Sequence, residues 1–342
     1  MSLTVSVIVP TWRRPADLHR CLDTLADQAR AADEVLVIHR AEDAETVQVL
    51  EQAPAGLALR RVVVEAAGQV AALNRGLEAA RGDIIAITDD DAAPRADWLR
   101  RIVETFERDP TLTGLGGRDW LHIDGRLATG ERRQVGRVQA WGRCIGNHHL
   151  GAGAPREVDI LKGANMSFRH VHLGGRRFDV GLKGEGAQVC NDMAFCLALR
   201  KAGRRLVYDP AVAVDHYPGV RHDVDQRGGF SAPAQKNQAH NETLALLDFL
   251  PRGRRAVFLV WALLLGTRAN PGLLQGLRWA RWAGPRQAAA RVKATMEGRL
   301  AGWRTWRGSP RGAAGRRGPK GWPPCCRWLS RRRWSRPGWE AG

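Results

Sequence analysis

Two rhythms of apolar positions run through the N-terminal part of the chain. Short runs rich in Val, Ile and Leu occur at 4–9, 34–38 and 84–87, and the stretch 59–64, interrupted by Arg60 and Arg61, reads as another strand. Such runs predict strands covered on both faces. Between them the spacing becomes helical. Leu18, Leu22 and Leu25 fall at i, i+4 and i+7, behind Pro15, a residue suited to a helix start. Residues 46–52 predict a second helix, and Val70, Leu73 and Leu77 a third, closed by Gly82. Strands alternating with helices in this order imply a mostly parallel sheet of Rossmann-like α/β type, with helices on both faces.

The pattern continues less regularly. A helix is expected to begin near Pro94, with Trp98, Ile102 and Phe106 as its stripe. Residues 112–117 predict a fifth strand. Residues 119–159 have weak periodicity and many Gly, Arg and His, as in a substrate-side loop region. The run 161–169 (LKGANMSFR) predicts a strand, 191–203 a helix ended by Gly203, and 206–208 and 212–214 two short strands. The polar run 220–236 predicts a mobile loop near the site. The run 255–266 (RAVFLVWALLLG) is the most apolar window but is too short to cross a bilayer. A buried helix and an in-plane membrane helix fit it equally. Beyond residue 298 periodicity fades and disorder is expected. The divisions are therefore 1–250 for the α/β domain (1–118 nucleotide-binding half, 119–250 acceptor-binding half), 251–298 for an apolar helical segment and 299–342 for a basic tail.

Charge sharpens that division. The 342 residues carry a net charge of +18. Residues 252–342 hold 21 Lys and Arg against Glu297 and Glu340, so the remainder is close to neutral. Nine of the 13 Trp also lie there. A basic, Trp-bearing segment points to an anionic partner. The six Cys form no CxxC pair, which fits a reduced, cytoplasmic protein. MSLTVSVIVP lacks a charged leader region and is expected to be a first strand.

Candidate chemistry concentrates after the 84–87 run. Asp89, Asp90 and Asp91 stand together at a strand's carboxyl end, where open α/β sheets bind ligands. Three adjacent carboxylates repel one another and need a cation. Their oxygens suit Mg2+ or Mn2+, which hold substrate phosphates. The plainer reading is that Asp91 or Asp97 caps the next helix, but a cap needs only one carboxylate. No GxGxxG follows the first strand, which argues against a dinucleotide site.

The set SVIVPTWRR, EVLVI, NRGLEAARGDIIAITDDDAAP, KGANMSFR, then ND with AFCLALRKAGRRLVYDPAVAVDH resembles the family 2 glycosyltransferases of GT-A fold, over residues 3–216. DDD alone is weak; with ND and LVYDP about a hundred residues later it is specific. The resemblance implies a metal-dependent, inverting transfer from a nucleotide sugar. It places the D-x-D motif on Asp89 and Asp91, with Asp90 between. Asp91 is expected to be the direct ligand and Asp89 to face ribose or a metal-bound water. His216 is a candidate third ligand, although a lone His is more often structural. Asp192 is the implied base, although it also fits a helix-cap role. Asn191 stands where the family has Glu, which removes one negative charge. Pro10, Thr11, Arg13 and Asn74 match segments that face the nucleotide. Arg40 and His39 replace the family's Asp after the second strand, so nucleotide identity is open. Gly163, Ala164 and Asn165, with Asn191, match the strand lining donor sugar and acceptor.

The expected function is glycosyl transfer to a saccharide, lipid-linked or protein-linked acceptor, in cell-surface polysaccharide or glycan synthesis. The expected place is peripheral, at the inner face of the cell membrane, through residues 252–342. Nucleic acid is not expected as partner. The alternative is a transferase-like body that has lost activity and binds membrane or nucleic acid through its tail. A nucleotidyltransferase ranks lower, because PTWRRP lacks a Gly-rich loop.

Overall fold

A computed structural model describes residues 2–223 and 229–310. Its first half alternates as the sequence predicts: β1 Val5–Pro10, α1 Pro15–Ala26, β2 Glu34–His39, α2 Ala44–Glu51, β3 Leu59–Val63, α3 Gln69–Ala79 and β4 Ile84–Ile87. Then follow β5 Ala92–Pro94, α4 Trp98–Arg108 and β6 Gly114–Ile123. Four two-residue strands come next: β7 Arg126–Leu127, β8 Arg137–Val138, β9 Cys144–Ile145 and β10 Arg156–Glu157. After them lie β11 Met166–Arg169, α5 His170–Leu173, α6 Asn191–Lys201 and β12 Leu206–His216. Four helices end the described chain: α7 Ala232–Phe249, α8 Arg252–Leu264, α9 Leu273–Ala283 and α10 Pro285–Gly308.

The main sheet runs in the order β10-β12-β6-β11-β4-β1-β2-β3. Strands β4, β1, β2 and β3 are parallel, as helical crossovers require. The alternation of side chains along these strands builds a core on each face. Val5, Val7 and Val9 pack with Leu18, Leu22, Ile102 and Phe106 on one side. Ile8, Ile85 and Ile87 pack with Leu73, Leu77, Phe195 and Leu199 on the other. Each such buried side chain contributes about 1.5–3 kcal/mol.

The second half departs from the pattern. β11 covers only the end of the expected 161–169 strand and lies antiparallel between β4 and β6. Among the described residues no crossover α-helix separates it from β6, so it returns in the opposite direction. The two short strands expected at 206–214 are one strand, β12, broken by a bulge between Asp209 and Ala213. The expected fifth strand continues to Ile123, because β12 pairs along it to Leu121. The helix expected from Pro94 starts at Trp98 instead. Residues 92–94 pair antiparallel with β12, placing His216 opposite Ala92. Asp97 precedes that helix but its side chain makes no capping bond.

Of the expected loop 220–236, residues 224–228 lie outside the described residues, and the helix α7 begins at Ala232 with Ser231 as its cap. The C-terminal helices belong to the body. α10 crosses the expected boundary at 299 and runs to Gly308, so helical structure persists where the onset of disorder was expected. Gly298 and Gly302 let α10 lie directly on α7: an added Cβ would come within 2.4 Å of the Lys236 carbonyl and 2.5 Å of that of His240. The expected tail beyond residue 310 lies outside the described residues.

Candidate active site

The carboxyl ends of β1, β2 and β4 open onto one cleft. Pro10, Thr11, Trp12, Arg14, Arg40, Gln69, Asp89 and Asp91 line it, and Glu185–Ala187 and Val220–Asp223 form its outer wall. Sequence position alone separates these groups by two hundred residues; the parallel sheet brings their loops to one edge.

The floor is the acidic turn. Asp89 keeps solvent access, while Asp90 and Asp91 are buried. Arg14, just before α1, reaches back to both: Nη2 lies 2.8 Å from Asp90 Oδ1 and Nη1 3.1 Å from Asp91 Oδ2. The cation that the triplet requires is thus supplied in part by the protein. Burial nonetheless dominates at Asp90 and pushes its carboxyl up to about 7, against the pull of Arg14. Burial also raises Asp89, with help from the charge of Asp91. At Asp91 burial is outweighed by His216, Arg14 and the backbone N–H of Gly219, and the carboxyl is held below its ordinary range.

His216 sits between two carboxylates. Its Nε2 is 3.3 Å from Asp91 Oδ1, and its Nδ1 is 3.4 Å from Asp119 Oδ2. Lys162 also ion-pairs with Asp119. Burial lowers the His216 pKa, but Asp119 and Asp91 outweigh it and the net shift is upward. Asp119 is brought down to about 2 for the reciprocal reason, its burial overcome by His216 and Lys162. Among the described residues no group of three or more His, Cys, Asp and Glu is drawn together to hold a metal. The ring nitrogens of His216, the candidate third ligand, thus face the carboxylates of Asp91 and Asp119. Asp89 and Asp91 are hard oxygen donors at the cleft, of the kind that Mg2+ or Mn2+ takes.

Asp192 opens α6 beside this turn. Its Oδ2 accepts from the Gly163 N–H at 3.2 Å, and its Oδ1 from the Met193 N–H at 2.7 Å. A Cβ on Gly163 would stand 4.0 Å from Asp89 Oδ2, so Gly163 separates the two carboxylates. Asp192 is half-exposed and does not line the nucleotide-side cleft. Asn191, buried, donates its amide to Gln69 Oε1 at 3.2 Å and to the carbonyls of Ala187 and Gln188. Gln69 in turn donates to Asp89 Oδ1 at 3.1 Å. A Glu at 191 would have no amide protons for these bonds.

Several expected residues lie elsewhere. Asn74 makes a two-way bond with the backbone of Phe178 (3.0 and 2.8 Å), tying α3 to the loop between α5 and α6, and does not line the cleft. Asn165 is buried, accepting from Trp98 Nε1 at 2.9 Å and donating to the Val212 carbonyl at 2.8 Å. Ala164 is buried, and its carbonyl accepts from the Thr88 hydroxyl. Both lie buried against the sheet, next to Gly163. Arg13 has positive φ and commits its N–H to Asp43, the residue that also caps α2. Its guanidinium covers Trp12, as does that of Arg40. Arg40 lines the cleft and also pairs with Glu42. The residues not singled out from the sequence are Arg14, Gln69, Asp119 and Lys162. Arg14 stood in the PTWRR turn and Lys162 at the head of KGANMSFR; Gln69 and Asp119 carried no motif.

The pattern of "Glycosyltransferase like family 2" matches residues 3–227. The chain belongs to this family. The glucosyl-dolichyl phosphate glucuronosyltransferase of Haloferax volcanii is 28% identical over 149 residues, covering 42% of this chain and 45% of that protein. The pre-mycofactocin glycosyltransferase of Mycobacterium tuberculosis is 30% identical over 175 residues, 48% of this chain and 34% of that one. The chain thus matches less than half the length of either relative. Its fold is that of the mannosyltransferase PcManGT from Pyrobaculum calidifontis, solved with GDP-Man and Mn2+: TM-score 0.52 at 20% identity, covering 90% of this chain and 89% of that one. The GT-A architecture expected from the sequence is present.

Proposed function

We propose that this family 2 glycosyltransferase moves a sugar from a nucleoside-diphosphate sugar, held in the cleft, to a hydroxyl of a lipid-linked or saccharide acceptor, with inversion. The observation that carries this is the placement of Asp192 just across Gly163 from Asp89. The nucleotide side and the acceptor side then meet between them. Asp192 takes the proton of the acceptor hydroxyl as its oxygen attacks the anomeric carbon. The bond from that carbon to the diphosphate breaks, and the electron pair leaves with the diphosphate. A single displacement from the opposite face inverts the centre.

Asp89 and Asp91 would hold a divalent cation, which supplies charge neutralisation for the departing diphosphate. Arg40, at the cleft wall, faces the same anionic region. Gln69 holds the Asp89 carboxylate in position, and Arg14 relieves the charge of Asp90 and Asp91. The Haloferax relative's name includes dolichyl phosphate, which favours a lipid-linked acceptor.

The test is thermal unfolding of the full chain with UDP, GDP, dTDP, CDP or ADP, each with and without Mn2+. Stabilisation follows RT ln(1 + [L]/Kd), so saturation at ~100 Kd gives about 2.7 kcal/mol. One nucleotide that stabilises only with metal supports the reading. No shift with any of them, on folded protein, overturns it.

A further inference from the structure

The helices α8 and α9 present an apolar face that the described residues do not cover. On α8, Phe258 and Ala262 are buried, and an added Cβ on Gly142 would come within 2.5 Å of the Phe258 ring. That face is committed to the body. The other face carries Val257, Val260, Leu263 and Leu264, between 42% and 58% exposed. On α9, an added Cβ on Gly276 would come within 2.4 Å of Val292, so that side is committed to α10. Leu273, Leu274 and Leu277 face outward, with Leu277 69% exposed and Trp282 82% exposed. A surface helix ordinarily turns polar residues outward; these two turn Leu and Val.

The turn between the helices joins the two faces. The Gly272 N–H donates to the Leu265 carbonyl at 2.8 Å, and an added Cβ on Gly272 would come within 2.7 Å of the backbone of Leu263, Leu264 and Leu265. Leu263, Leu264 and Leu265 therefore lie next to Leu273 and Leu274 in one patch. Apolar patches of this kind mark interaction sites.

Charge decides the occupant. No acidic residue occurs between Asp248 and Glu297, while nine Lys and Arg do. Arg268, Arg278, Arg281 and Arg286 are exposed around the patch. Arg268 and Arg278 line a shallow groove with Trp279 and Trp282. Apolar side chains bordered by Arg and Trp match a bilayer interface, where acyl chains lie beneath anionic headgroups. No helix among the described residues is long and apolar enough to cross a membrane.

We propose that the α8–α9 hairpin is an in-plane docking surface for an anionic lipid bilayer, its Leu and Val side chains entering the acyl region and its Arg side chains holding headgroup phosphates. This stands on the hairpin alone and does not rest on the proposed donor or acceptor.

The test is co-sedimentation of the full chain with vesicles of phosphatidylcholine, with and without one quarter phosphatidylglycerol, at low and high salt. The variant is Leu264→Gln/Leu274→Gln/Leu277→Gln. A second variant, Leu277→Gln/Trp282→Gln, changes only the two most exposed of these side chains. Circular dichroism confirms that each is folded. Wild type is expected to bind the anionic vesicles best and to keep part of its binding at high salt, because acyl burial is not screened. A folded variant is expected to lose about tenfold or more in partitioning, as the buried apolar area falls. Three results overturn the proposal: no binding by wild type, equal binding by folded variants, or complete loss of wild-type binding at high salt. So does self-association of wild type that the same substitutions abolish, since the face would then join two copies of the chain.

Discussion

The substitution Asp192→Asn tests the mechanism at its most exposed point. The change is isosteric. The carboxamide would keep its oxygen toward the Met193 N–H, now bonded at 2.7 Å, and would turn its NH2 toward the Gly163 N–H, now bonded at 3.2 Å. Two donors would then face each other. One lost hydrogen bond at a half-exposed site costs about 1 kcal/mol. The fold should survive that loss. Catalysis should not, because a carboxamide cannot take the acceptor's proton. General-base catalysis contributes roughly 10²–10⁴-fold, or about 3–5.5 kcal/mol of barrier. Nucleotide affinity should hold, since Asp192 does not line the cleft. The assay pairs steady-state release of nucleoside diphosphate with calorimetric titration of that nucleotide. Turnover at the wild-type rate by a folded variant would refute the base assignment. A parallel loss of nucleotide affinity would refute the separation of the two sides.

Two further outcomes follow from the buried charges. Arg14→Met leaves Asp90 and Asp91 without their guanidinium, and removal of one partner of a buried pair costs ~3–5 kcal/mol, less here because Arg14 is partly exposed. Asp90 has a raised pKa of about 7 and takes up a proton below it, so the loss measured by urea unfolding should be larger at pH 8 than at pH 5. Glu34 behaves oppositely. Burial raises its pKa, but the Ser6 hydroxyl, the Arg81 N–H and Arg60 together leave it lowered. A depressed carboxyl contributes stability above its unfolded pKa of about 4.3 and loses it as pH falls through the folded value. Glu34→Gln should therefore cost most near neutral pH, and its unfolding curve should approach that of wild type below about pH 4. A gap that does not depend on pH would refute that account.

Local patterning carried the parallel half of this protein. The runs that became β1, β2 and β4 are apolar because both faces of those strands are covered, whereas β3, at the sheet edge, carries Arg60 and Arg61 and buries only Val62. The DDD turn and the cleft loops after β1 and β2 were legible for the same reason: a strand's end is where its run stops. Long-range pairing decided the rest. Whether residues 92–94 form helix or strand depends on β12, more than a hundred residues later, and the pairing of β12 with β5 and β6 sets His216 against Asp91. Asn74 and Asn165 look alike in sequence to residues that face a ligand. Their amides instead satisfy backbone groups that no local pattern identifies. Gln69, Asp119 and Lys162 gained their places from contacts made only once the sheet had closed. The apolar run 255–266 did not by itself distinguish core from surface. Packing decided that, by burying Phe258 and Ala262 and leaving the opposite face to solvent.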